Sequence, residues 1–171
     1  MSAVQSLLPD QRRYLAVETA ISVFLNVLVS AAFAWFPFHG ADYVPLWGPF
    51  GIAVDLVPTT FMITLMVSIA LTLITRRRVR AGQVPALNPT AISYPGFRWL
   101  PRQVVWRAVA LAMTLTVVLV LGFVALFVVA GVDRLPFDRF FLFKLIYGGL
   151  LAILVTPFIL AAALADPISR S

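Results

Sequence analysis

Four long apolar runs, about Tyr14 to Phe36, about Leu56 to Thr75, about Val104 to Ala130 and about Phe140 to Ala165, take up most of this chain. A hydrocarbon layer ~30 Å thick is crossed by a helix of about 20 apolar residues rising 1.5 Å each. Each run is long enough to cross once. The strands of an outer-membrane barrel would alternate apolar and polar residues over ~10 positions, whereas Thr116 to Ala130 is apolar on every face. The expected fold class is therefore all-α: a polytopic membrane protein, a single four-transmembrane-helix bundle with short loops.

Composition narrows the chemistry. The chain is 61% hydrophobic and only 12% charged, well below the ~25% charged residues of a soluble domain. With no cysteine and one histidine, a disulfide framework, a thiolate zinc site, an iron–sulfur cluster and a cysteine nucleophile are excluded together. His39 and Asp42 are two ligands where zinc wants three or four, so no metal and no cofactor is expected. Gly-x-Ser-x-Gly, His-Glu-x-x-His and the phosphate-binding Gly-x-x-x-x-Gly-Lys do not occur, nor does a nucleophile beside a base. The chain is not expected to be an enzyme.

The connecting segments are an arm to Arg13, residues 37–55, residues 76–103, residues 131–139 and a tail from Asp166. None could bury a core, because units below about 40 residues need disulfides or metals to fold. Gly48-Pro49 and Gly51 break the first connection, where Phe38, Tyr43, Trp47 and Phe50 suit a membrane interface. Asp55 is a candidate cap for the second helix, with Pro58 in its first turn. Pro101 can open the third helix, and Pro136 with Asp138 precede the fourth. Thr156-Pro157 predicts a kink, the hydroxyl bonding a freed carbonyl.

Orientation follows the basic residues near helix ends. Arg12, Arg13, Arg76, Arg77, Arg78, Arg80, Arg98, Arg102, Arg107 and Arg170 fall on one side. Arg134, Arg139 and Lys144 fall on the other, accompanied by Asp42, Asp55, Asp133 and Asp138. Both termini are thus expected in the cytoplasm, with the chain in the inner (plasma) membrane, and the Ala, Val and Arg usage has a bacterial character. Arg12-Arg13 before an apolar run and Ala32-Phe33-Ala34 imitate a cleaved signal peptide. Glu18 and Asn26 within the run, and its continuation through Trp35-Phe36, favour an uncleaved span.

The middle connection, residues 76–103, is basic and proline-rich and is expected on the cytoplasmic side. Arg76, Arg77, Arg78 and Arg80 open it, Pro85, Pro89, Pro95 and Pro101 follow, and Trp99 and Trp106 flank the return into the membrane. Anionic headgroups attract such arginines by roughly 1 kcal/mol each, and tryptophan prefers the same interface. Lipid headgroup contact is the expected role of this cluster. Nucleic acid is not expected as a partner, since there is no folded basic domain and no stacking platform. Asn88-Pro89-Thr90 is no glycosylation acceptor, having proline in the middle.

Polar side chains within the spans form the candidate intramembrane site. Glu18, Ser22, Asn26 and Ser30 recur at four-residue spacing and share one third of the first helix. Glu18 lies within reach of the interface and is expected to pair with Arg76 or Arg107, and Asn26 to bond hydroxyls of the second helix. On that helix Thr60, Thr64, Ser68 and Thr75 share a face, opposite Met62 and Met66. The fourth helix divides into a small face of Gly148, Gly149, Ala152, Thr156 and Ala163 and a bulky face of Phe140, Phe143, Tyr147, Leu154 and Phe158. Small and hydroxyl faces let helices approach closely, at about 0.6 kcal/mol per interhelical hydrogen bond.

The function expected is that of a non-catalytic membrane component, a small accessory or scaffold subunit that packs against a partner membrane protein or forms a homo-oligomer, with its basic face on anionic headgroups. The alternative is a small oligomeric transporter or channel using Glu18. Small multidrug-type exporters also have four helices and an early acidic residue. Those chains are shorter with tighter loops, and nothing around Glu18 reproduces their flanking pattern.

Overall fold

The computed structural model describes residues 9–85 and 103–165. The elements are α1 (Pro9–Phe38), β1 (Tyr43–Pro45), α2 (Ile52–Arg80), α3 (Val104–Val129), β2 (Arg134–Pro136) and α4 (Phe137–Ala165). All four helices are long and apolar enough to cross a membrane, so the chain is an all-helical, multi-pass membrane protein. Pro89, Pro95, Arg98, Trp99, Pro101 and Arg102, the Asn88-Pro89-Thr90 triplet and the tail with Arg170 lie outside the described residues.

Three boundaries differ from the sequence expectation by four residues or more: α1 begins at Pro9 rather than Tyr14, so Arg12 and Arg13 are helical, and both ends of α2 shift for local reasons. α2 runs on through Arg80 rather than ending at Thr75, so the arginine cluster is helical and not part of a loop. Its stop is Gly82, whose φ is +69°; the Gly82 amide donates to the Val79 carbonyl and the Gln83 amide to that of Arg78. This is the double bond pattern with which a left-handed glycine closes a helix. Gly131 ends α3 in the same way, its amide on Val128 and that of Val132 on Phe127. At its other end α2 begins at Ile52, with Gly51 at the cap position and no side-chain cap. Asp55 is therefore not the cap, and Pro58 sits beyond the first turn. Gly51 is constrained by space: a Cβ there would lie 2.7 Å from the Trp47 carbonyl carbon.

The connections 37–55 and 131–139 pair with each other. β1 and β2 run antiparallel, with Tyr43 opposite Pro136 and Pro45 opposite Arg134. The Leu46 amide donates to the Asp133 carbonyl and the Phe137 amide to that of Asp42. Alternation then turns Val44 and Leu46 inward, where they are 0% and 1% exposed, and leaves Tyr43 and Trp47 outside. This short ribbon closes one end of the bundle, hereafter the ribbon end. Phe38, expected among the interfacial aromatics, instead packs edge-on against Phe140 with ring centroids 4.9 Å apart.

Around the bundle the neighbours do not follow chain order. α4 is central: α1 packs along it, α2 packs along both α4 and α3, and α1 and α2 scarcely touch. The α1 residues that turn inward are Glu18, Ser22, Asn26, Ser30, Ala34 and Phe38, the four-residue period read from the sequence. Of these, Ser22, Asn26 and Ser30 meet the small face of α4. Contact is so close at Gly148 that a Cβ would stand 2.1 Å from Ser30 Oγ and 3.0 Å from the Asn26 carbonyl oxygen. On the bulky side, Phe143 and Tyr147 pack against Phe123 and Phe127 of α3, with centroids 5.1–5.7 Å apart. Leu154 departs from that face, being 62% exposed.

α3 buries only Arg107, Ala108, Ala112, Thr116 and Val120. Its remaining surface, including Met113, Val117, Val118 and Leu121, is exposed and apolar, as a helix facing hydrocarbon requires. Thr60, Thr64, Ser68 and Thr75 of α2 are all buried, whereas Met62 and Met66 are exposed, matching the two faces read from the sequence.

Candidate functional site

At the end of the bundle opposite the ribbon, hereafter the basic end, Glu18 is buried on α1 and accepts a hydrogen bond from Arg78 Nη1. The Arg78 guanidinium also lies over the Tyr14 ring, 5.4 Å from its centroid. The partner is thus Arg78 and not Arg76 or Arg107. α2 continues five residues, about one and a half turns, past Thr75 and carries Arg78 to the level of Glu18. Arg107 lies on α3, on the far side of α2, and its Nη2 donates to Thr72 Oγ1 at 3.3 Å. Tyr14 and Thr75 share a hydrogen bond of 3.0 Å, and Gln11 Nε2 donates to the Pro85 carbonyl at 3.2 Å. These contacts tie α1 to α2 at this end.

Asn26, deeper in the span, does not reach α2. Its Nδ2 donates to the Ser22 carbonyl at 2.8 Å and to Ser22 Oγ at 3.2 Å, and Thr156 Oγ1 of α4 donates to the same Ser22 Oγ at 2.8 Å. The expected bond between helices exists, but Ser22 makes it, toward α4, because α4 and not α2 lies against this face. It also corrects the expectation for Thr156, whose hydroxyl crosses to α1 instead of serving a carbonyl freed by Pro157. The hydroxyls are not uniformly used. Among the described residues Ser30, Thr64, Ser68 and Thr116 are buried without a hydrogen-bond partner, so there the small size of the side chain is what the packing uses.

The second intramembrane charge pair was not anticipated. Lys144, taken from the sequence as a basic residue of the loop side, is 0% exposed on α4. Its Nζ donates to Asp55 Oδ2 at 2.5 Å and to Thr59 Oγ1 at 2.8 Å. One turn further, Thr60 Oγ1 donates to the Leu56 carbonyl at 2.6 Å and accepts from the Tyr147 hydroxyl. The signal was available: a lysine inside an apolar run must find an acid at its own depth, and Asp55 is the acid near the same end of the neighbouring span.

Because α1 and α2 diverge beyond their contact at the basic end, a cleft of about 460 Å³ opens between them toward the lipid. Ile21, Leu25 and Val29 line one wall and Met62, Met66 and Ile74 the other, with Glu18 toward the basic end and Thr59 toward the ribbon end. The cleft thus runs between the two charge pairs, through apolar walls.

Arg77 and Arg80 are exposed at the end of α2 and Arg76 is half-buried; Arg12 and Arg13 are exposed on α1. At the ribbon end the exposed charges are mixed: Asp42, Asp133 and Asp138 with Arg134 and Arg139. His39 is exposed, stacks on Trp35 at 5.9 Å and donates through Nδ1 to the Trp35 carbonyl. Among the described residues no three His, Cys, Asp or Glu side chains cluster as metal ligands. Chemically, the arrangement offers paired charges, shared hydroxyl protons and an apolar recess. No family model matches the chain, and no curated protein or solved structure matches it.

Proposed function

We propose that the chain is a non-catalytic integral membrane protein, a small scaffold or accessory subunit that packs against a partner membrane protein or another copy of itself. It sits in the inner (plasma) membrane with its termini and its basic end in the cytoplasm, where the exposed arginines rest on anionic headgroups. One observation carries this reading: Glu18, Asp55, Arg107 and Lys144, ionisable groups set into the spans, are each engaged by another side chain of the same chain. Charges spent in holding helices together are not available to carry a substrate. The arginines support the orientation, since basic residues near helix ends stay on the cytoplasmic side.

A transporter or channel remains the second reading, favoured by the place of Glu18 in the wall of the cleft. Purification in a mild detergent followed by native mass measurement tests the first reading. A stoichiometric partner or a defined oligomer is the expected result, and a bare monomer would count against it. Reconstitution in liposomes tests the second: proton flux driven by a substrate gradient, lost in Glu18→Gln, would replace the scaffold reading with transport. Reporter fusions near position 90 test the orientation, and a periplasmic signal there would reverse it.

A further inference from the structure

We propose that the cleft between α1 and α2 holds an acyl chain of one anionic phospholipid, whose phosphate is bound at the basic end by Arg77 and Arg78. The proposal rests on the basic-face reading above and gives it a defined site.

The shape suits a hydrocarbon chain better than a helix. The residues lining the cleft run from Glu18 to Phe33 on α1 and from Thr59 to Ile74 on α2. Either stretch is about 22 Å long at 1.5 Å per residue. Even with the space open to the surrounding lipid included, the recess holds about 1130 Å³, which over about 22 Å is a mean cross-section of about 50 Å². A transmembrane helix with side chains is at least ~10 Å across, about 80 Å² in section. A recess of the smaller section takes a hydrocarbon chain along its whole length, whereas a helix would rest on its rims without filling it. The lining is what such a chain needs: apolar along its length, with the unbranched and adaptable Met62 and Met66 on one side.

Charge then selects the headgroup. Met66, Ala70 and Ile74 descend one wall at four-residue spacing, and the next positions flanking that row are Arg77 and Arg78. Arg78 is fixed at the end of the cleft by its bond to Glu18, and 39% of its side chain remains exposed. Arg77 is exposed beside it. Glu18 neutralises one guanidinium, so the second leaves the mouth of the cleft cationic. The Tyr14–Thr75 hydrogen bond closes the gap between the helices just above, which keeps the headgroup on the outer, arginine-bearing rim.

Native mass spectrometry of the full chain, exchanged into phosphatidylglycerol or phosphatidylcholine with identical acyl chains, tests this. Preferential retention of phosphatidylglycerol is expected. Arg77→Gln should lower that retention about fivefold, the factor that about 1 kcal/mol per arginine represents. Ala70→Trp, which fills the cleft, should lower retention of both lipids. Met66→Trp provides a second filling variant should the first fail to fold, and Leu121→Trp on the exposed face of α3 should retain lipid as the wild type does. Retention unchanged in both filling variants would overturn the cleft while leaving headgroup contact at the arginines intact. Equal retention of the two lipids by the wild type would overturn headgroup selection, and with it the basic-face reading. A dimer lost on filling the cleft would show a second copy, not lipid, as the occupant.

Discussion

Two ion pairs tie α2 to its neighbours, one near each end, and they are built differently. At the basic end Arg78 reaches Glu18 of α1 while 39% of the arginine side chain stays exposed. At the ribbon end Lys144 of α4 is 0% exposed and Asp55 is 13% exposed. The first pair has a long, snorkelling partner that keeps much of its hydration. The second has a charge fully enclosed by protein, for which Asp55 and Thr59 are the compensation. Removing one member of an enclosed pair leaves the other uncompensated, whereas a half-exposed arginine that loses its acid turns to water. The contrast teaches that the mechanical anchor of this bundle is at the ribbon end, on the central helix, and that the basic end is a looser clasp.

Substitutions can break or sharpen that contrast. Asp55→Ala should have the largest effect, about 3–5 kcal/mol, because Lys144 is left buried without its acid. Reversible unfolding in mixed micelles measures it, and Asp55→Leu combined with Lys144→Met should recover most of the loss. Should Asp55→Ala cost no more than Glu18→Gln, the anchor has been misplaced. Gly148→Ala should follow, at about 1–3 kcal/mol, since its Cβ must displace Ser30. Ser30→Gly in the same chain should restore much of it, separating the cost of close approach from that of charge. Glu18→Gln should cost less than about 1 kcal/mol, as for other pairs with a solvated member. Thr156→Val should be the mildest, at about 0.6 kcal/mol, the worth of one hydrogen bond between helices in a membrane.

The spans and their inward faces were legible because hydropathy and the four-residue spacing of polar residues are local properties of each helix. Glu18, Ser22, Asn26 and Ser30 all face the interior, and the Thr60–Thr75 stripe does as well. Which helix stands opposite each face is not local, and there the sequence reasoning misassigned partners. Ser22 and Asn26 face α4 because it wedges between α1 and α2, which no single-helix pattern encodes. Two misses had readable signals. Gly82 marks the left-handed stop that carries α2 through its arginines. Lys144 lies inside an apolar run, and counting it toward orientation hid the demand for a buried acid.

The position of α4 has a consequence for assembly. Synthesis delivers α1, α2 and α3 first, yet α1 scarcely touches α2 and finds most of its inward surface matched by the helix made after them. Until that helix inserts, the stripe of α1 and the acid of α2 face a membrane that offers them no counterpart. The α1 side of the bundle therefore has its counterpart only when the keystone carrying Gly148 and Lys144 arrives, whereas α2 and α3 can already be paired with each other.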